Sequence, residues 1–180
     1  MGQHTRTQVV PPTITPMNGW LSLGQIIAIS EASTTGNAVW PTANLAIFIP
    51  LSIPDDVLVV KFSLLNGIVA SGNYDFGLYD SQGNLVVSTG STAITGTSVI
   101  QTIDSTDTLL PRGFYYLGMA VDNITANFSR MAPSAAGLNG WGVRQMASAF
   151  PLPATITLAA PANAYLPYNI MVHTKAASTV

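Results

Sequence analysis

The chain has 180 residues, 48% of them hydrophobic, with a net charge of −2 and only 8% Asp, Glu, Lys and Arg, against roughly 25% charged residues in an average soluble domain. Six scattered Lys and Arg exclude a basic patch for phosphate, so no nucleic-acid partner is expected. The absence of cysteine excludes disulfides, zinc–thiolate sites and thiol nucleophiles. Length and hydrophobicity suit one domain with a sizeable core, and the shortage of charge predicts a surface normally covered by copies of the chain or by another protein, with a polar surface rich in Ser, Thr, Asn and Gln as the alternative.

Residues 1–22, "MGQHTRTQVVPPTITPMNGWLS", form the first unit. Pro11, Pro12 and Pro16 exclude helix and disfavour a central strand. Val9, Val10, Ile14, Met17 and Trp20 are apolar without a regular period. The segment reads as an extended arm that packs on something, with a frayed terminus as the alternative, and those five side chains are candidate partner contacts. Nothing in it resembles the apolar core of a signal peptide, and Arg6 stands where a myristoylation signal takes Ser or Thr. The best apolar run, "VLVVKFSLLNGIVA", is too short to span a membrane and is broken by Lys61. Synthesis in the cytoplasm and no membrane partner are expected.

Residues 23–180 read as one β-domain. "LGQIIAIS", "NLAIFIPLSI", "DVLVVKFSLL", "GNYDFGLYD", "NLVVSTG", "SVIQTID", "GFYYLGMAVD", "ATITLAA" and "YNIMVHT" are short β-rich runs separated by Gly, Pro, Asn, Asp and Ser. This spacing predicts an all-β fold, an antiparallel β-sandwich of about eight strands, jelly-roll-like and almost without helix. "GWGVRQMASAF", residues 140–150, is the best helical candidate, with one or two turns or a long loop as alternatives.

In "NYDFGLYD", Tyr74, Phe76 and Leu78 share one face, while Asp75, Gly77 and Tyr79 share the other, as in a half-buried strand. Asp75 is expected on the outer face. "DSQGN", residues 80–84, turns the chain, with Asp80 bonding backbone amides and Gly83 at positive φ, and "LVVS" returns. In "LLPRGFYYLGMAV" a Pro-Arg-Gly corner feeds a strand in which Phe114, Tyr116 and either Met119 or Ala120 line one face. Trp20, Trp40 and Trp141 lie in or beside loops, each a core plug or an exposed anchor. Trp40, before Pro41, reads as a plug, and Trp141 joins the candidate contacts.

Chemistry-bearing patterns are scarce. His4 and His173 are too few for a histidine metal site. There is no nucleophile elbow, no His-Glu-x-x-His and no phosphate-binding glycine loop. "DSTD", Asp104 to Asp107, alternates oxygen ligands but lacks the glycine and distal glutamate of a calcium loop, so it reads as an Asx-type turn. "PDD" at 54–56 reads as a turn as well. No spacing among the eight carboxylates favours an acid pair. Without a secretory signal, the triplets "NIT" and "NFS" read as chance. No catalytic residue, metal ligand or cofactor is assigned, and the chain is not expected to be an enzyme.

The ordered phrases "SGNYDFGLYDSQGNLVVSTGSTAITGTSVIQTID", "LLPRGFYYLGMAVDN", "ASAFPLPATITLA" and "AYLPYNIMV" resemble a β-sandwich domain of tailed-bacteriophage virion structural proteins. The matching positions are Tyr79–Asp80, Gly83, Ser88 to Ser91, Gly113 to Tyr116 and Phe150 to Ala154. The resemblance covers roughly residues 45–172 and leaves the arm outside. It implies a virion location and a role as a capsid decoration protein, head fibre or tail component. It also implies a homo-oligomer, a trimer, whose larger partner is the major capsid protein or another virion protein. The stand-alone length and the arm favour decoration of the head shell. Two other classes compete. One is a tail or head-fibre module that recognises host-surface carbohydrate through Trp141, Tyr165 or Tyr168. The other is a hydrolase that cuts cell-wall glycans with a carboxylate pair.

Overall fold

The computed structural model describes residues 19–22, 36–131, 133–167 and 170–176. Within these the chain forms β1 (Gly19–Ser22), β2 (Gly36–Val39), β3 (Leu45–Ile53), β4 (Val57–Leu65), β5 (Asn73–Asp80), β6 (Leu85–Ser88) and β7 (Thr92–Ala93). There follow β8 (Ile100–Leu110), β9 (Gly113–Val121), β10 (Asn127–Met131), a short helix α1 (Ala135–Gly140), β11 (Arg144–Met146), β12 (Leu166–Pro167) and β13 (Ile170–Ala176). The fold is all-β, as the strand-and-turn phrases predict. The strands outnumber the expected eight because several two- to four-residue pieces run along the longer ones.

Three antiparallel sheets result. One has the order β1-β13-β4-β8, one β12-β10-β2, and the largest β11-β3-β9-β5-β6, with β7 also on β5. The main core lies between the first and the largest. Phe62 of β4 stacks on Phe76 of β5 with ring centroids 6.1 Å apart, so the two sheets face each other through aromatic side chains. The alternate residues Leu45, Ile47, Ile49, Leu51 and Ile53 of β3 and Tyr115, Leu117, Met119 and Val121 of β9 point into the same core. Trp40 plugs one end of it. It is fully buried, donates its indole N–H to the Leu45 carbonyl at 3.0 Å and meets Phe128 and Tyr165 edge-on.

The largest sheet is covered on its outer face too, which the sequence did not announce. Residues 149–158 form a strap there. Ala149 N–H donates to Asn44, the Leu85 N–H to Ala154 and the Ile156 N–H to Gly83. Tyr79 donates its hydroxyl to the Pro153 carbonyl at 2.8 Å. Under the strap Ala46, Phe48, Tyr79, Ala120, Ala149 and Leu152 form a second core. This corrects the half-buried reading of β5: Tyr74, Phe76 and Leu78 enter the main core, while Asp75 and Tyr79 are buried beneath the strap. It also explains why β3 opens as an unbroken apolar run, since a strand buried on both faces has no solvent face to mark. On β9 the outer face carries Tyr116 and Ala120, while Met119 turns inward.

The hairpin is built as its residues predict. Asp80 accepts the Gln82 and Asn84 N–H groups, each at 2.9 Å, and Gly83 has φ 85°. "PDD" falls between β3 and β4, and Asp56 accepts the Arg112 N–H, tying that turn to the Pro-Arg-Gly corner. Two expectations are overturned. "DSTD" lies inside β8, where Asp104 opposes Lys61 but Thr108 opposes Val59, so the phrase is a bulge in an edge strand. Asp, Ser and Thr suit a strand wet along its edge as well as they suit a turn. The helical turn precedes the predicted stretch. Ser134 caps α1 by accepting the Gly137 N–H, and Leu138 is its buried residue, whereas Arg144–Met146 is strand.

Candidate interaction surface

Asp75 is 1% exposed. Its Oδ1 accepts the Ser88 hydroxyl at 2.7 Å and the Thr89 hydroxyl at 3.3 Å, and its Oδ2 accepts the Leu152 N–H at 3.0 Å. Burial pushes its carboxyl above the usual range, and these bonds offset part of the rise. Asp75 thus pins the strap to the sheet, and no solvent reaches it. Asp80, in the hairpin turn, is held below the ordinary carboxylate range by the side chain and N–H of Asn84. Asp122 accepts from the Asn73 N–H and side-chain amide, locking the start of β5 to the end of β9.

The most catalytic-looking contact is on the four-stranded sheet. His173 Nε2 lies 2.6 Å from Ser63 Oγ, which is also 2.8 Å from Thr102 Oγ1. Burial, with the Lys61 ammonium beside it, lowers the His173 pKa. A serine–histidine pair can in principle make a nucleophile. Here Ser63 is wholly buried and its oxygen is shared by two neighbours, so no substrate carbonyl can approach it. Next to it Lys61 and Asp104 form an exposed ion pair at 2.8 Å. Among the described residues, no three His, Cys, Asp or Glu side chains gather as metal ligands.

Of the candidate contacts, Val9, Val10, Ile14 and Met17 lie outside the described residues. Trp20 sits in β1, and the backbone places it opposite His173, with Leu21 opposite Val172, at the edge of the four-stranded sheet. The end of the arm segment is therefore an added edge strand, the place in a sheet that a proline-rich approach tolerates. Trp141 follows α1 and packs, partly buried, on the main core, which makes it more plug than anchor. Tyr165 is buried, with its hydroxyl on the Ala38 carbonyl at 3.1 Å and the Arg130 guanidinium 5.4 Å from its ring centroid. Tyr168 lies outside the described residues. Trp141 and Tyr165 therefore offer no open aromatic platform for a sugar.

Sequence reasoning missed a different surface. At one end of the sandwich Val39, Ile68, Val69, Val99, Ile100 and Ile124 are each 40–60% exposed. They sit on four segments bonded to one another. Asn127 opposes Val39 in the β10–β2 ladder. The Gly67 N–H donates to Asn127, the Asn127 N–H to Val69, the Ser98 N–H to Gly67 and the Asn66 N–H to Val99. Asn66 braces the end from inside, donating its amide to Thr95 and Gln101. The usable signal was large aliphatics embedded in turn chemistry, in "NGIVASG", "TGTSVI" and "DNITAN". Such residues have no periodicity to betray them.

Compared with models of protein families, with curated proteins and with solved structures, the chain matches none.

Proposed function

We propose that the chain is a structural protein of a tailed-bacteriophage virion, a capsid decoration subunit with a jelly-roll-like body. It assembles with copies of itself as a trimer and binds the head shell by association alone. The observation that carries this reading is the apolar end of the sandwich. Six large aliphatic side chains are 40–60% exposed at one end of a chain with only 8% charged residues, and an apolar patch near the upper size found on monomers often marks an interaction site. The ordered phrases shared with virion domains supply the setting. The arm sequence supports it as well, because the apolar Val9, Val10, Ile14 and Met17 directly precede β1, which pairs at the edge of the four-stranded sheet.

The test is co-sedimentation of the full-length chain with purified head shells that lack it. Saturable binding with a fixed stoichiometry per shell is expected. Failure to bind shells at low and moderate salt, with retention on host-cell glycans instead, would replace this reading by a receptor-binding one.

A further inference from the structure

We infer that the apolar end of the sandwich is the self-association face, and that its occupant is the same end of neighbouring copies of this chain. The inference deepens the association reading above and rests on it. The residues that build the face, 36–39, 66–72, 94–100 and 123–127, include no formal charge. Asp122, adjoining the 123–127 segment in the chain, has its carboxylate taken by Asn73 and Asn123. A charged partner would lose its hydration against such a surface and gain no counter-charge. The surface fits a partner face that is itself aliphatic and uncharged, and this chain carries one.

Symmetry and size favour the same occupant. In a cyclic oligomer whose axis passes by this end, every copy brings the same uncharged aliphatic residues to the axis, where they can cover one another. With a net charge of −2 per chain, copies repel one another weakly. The six side chains expose on the order of 500 Å² of apolar surface, near the top of the ~300–600 Å² found for the largest patch of a typical monomer. Two such faces, if wholly covered, total only on the order of 1,000 Å², the lower bound for a specific interface, so further contacts between copies would add to this face. The backbone bonds joining the four segments hold the face in shape before contact, so little ordering is needed on association.

The experiment uses the full-length chain and two separate variants, Ile68→Asp and Ile124→Asp, with Leu109→Asp as a control. Leu109 is also exposed, but it lies at the far end of β8 from Ile100. Oligomeric state is read by sedimentation velocity across a concentration series, and folding by thermal unfolding. The intact chain and the Leu109 variant should associate at micromolar concentration. Each apex variant should unfold at the same temperature yet associate at least tenfold more weakly. A monomeric intact chain overturns the inference, as do apex variants that associate as the intact chain does. If those variants still associate but no longer bind shells, the face belongs to the larger partner: the inference falls while the virion reading stands. If they become monomeric and shell binding is absent even for the intact chain, the self-association face stands and the virion reading falls.

Discussion

Gly77 of β5 lies directly opposite Gly118 of β9, and the bare pair makes room for the second core. A Cβ on Gly118 would stand 3.0 Å from Phe48 Cε1 and 3.3 Å from Tyr79 Cε2. Those two rings meet edge-on with centroids 5.5 Å apart. A Cβ on Gly77 would stand 3.0 Å from Leu152 Cδ1 and 3.0 Å from the Val87 carbonyl oxygen. Gly77 leaves room for Leu152 of the strap, and Gly118 leaves room for the Phe48 and Tyr79 rings that the strap covers.

Gly118→Ala therefore has an unusual sign. In a strand with open space, replacing glycine by alanine stabilises by roughly 0.5–1 kcal/mol. Here overpacking should destabilise by about 1–3 kcal/mol, measured as a shift in urea midpoint. Adding Phe48→Leu should recover part of that loss, because the two sites share the same space. A neutral or stabilising Gly118→Ala would show that the Phe48 and Tyr79 rings have room to shift beneath the strap.

Asp75 should reveal itself in two ways. Asp75→Ala leaves the buried Leu152 N–H without an acceptor and strands two hydroxyls, so about 2–3 kcal/mol of stability should disappear. Asp75→Asn keeps the shape and removes the charge. Because the folded pKa lies above the ordinary aspartate value, its favourable contribution is complete below that value and is lost as pH rises through the folded pKa. Wild type should thus lose ground to Asp75→Asn as pH rises from 4 to 7, in paired thermal melts. A constant difference between the two would mean that the carboxyl is not desolvated.

His173 works in the opposite direction. Its folded pKa lies below 6.5, so the unfolded chain takes up the proton first. Its contribution is present at neutral pH and is lost as pH falls below 6.5 toward the folded value. His173→Gln should flatten the stability profile between pH 7 and 5. An unchanged slope in that window would place the titration elsewhere.

These positions also show what a sequence can carry. The hairpin at 73–88 was readable because its determinants are local: alternation in the strand, Asp80 for the turn amides and Gly83 for the positive φ. The burial of Asp75 was not, because its cover arrives more than seventy residues later as the strap, and a period of two separates faces without saying what lies over them. "DSTD" failed for a different reason. A wet edge bulge and an Asx turn draw on the same residues, and only the pairing of Asp104 with Lys61 tells them apart. Helix α1 is six residues long, less than two full turns, too short for a helical period to show.

The last prediction concerns where the arm ends. Residues 19–22 form β1 and pair with Met171 to Thr174, so a cut after residue 18 and a cut after residue 22 are different experiments. Each cross-strand pair in an edge strand contributes roughly 0.2–1 kcal/mol. Removing 1–22 should therefore lower stability by about 1–3 kcal/mol and bare the edge of β13 for aggregation. Removing 1–18 should leave thermal unfolding unchanged, because β1 remains. That shorter deletion takes away Val9, Val10, Ile14 and Met17. Burying one such side chain is worth roughly 1.5–3 kcal/mol, while ordering the backbone costs about 1–2 kcal/mol per residue, so one arm alone binds weakly. If the subunit assembles on a head shell as proposed, repetition of the contact over a symmetric oligomer would add avidity on the order of a hundredfold. The 1–18 deletion should thus weaken shell attachment by tenfold or more at unchanged stability. Equal binding of the shortened and intact chains would leave the arm without a role in attachment. A shortened chain that fails to fold would move those residues into the core and shift the domain boundary toward the N-terminus.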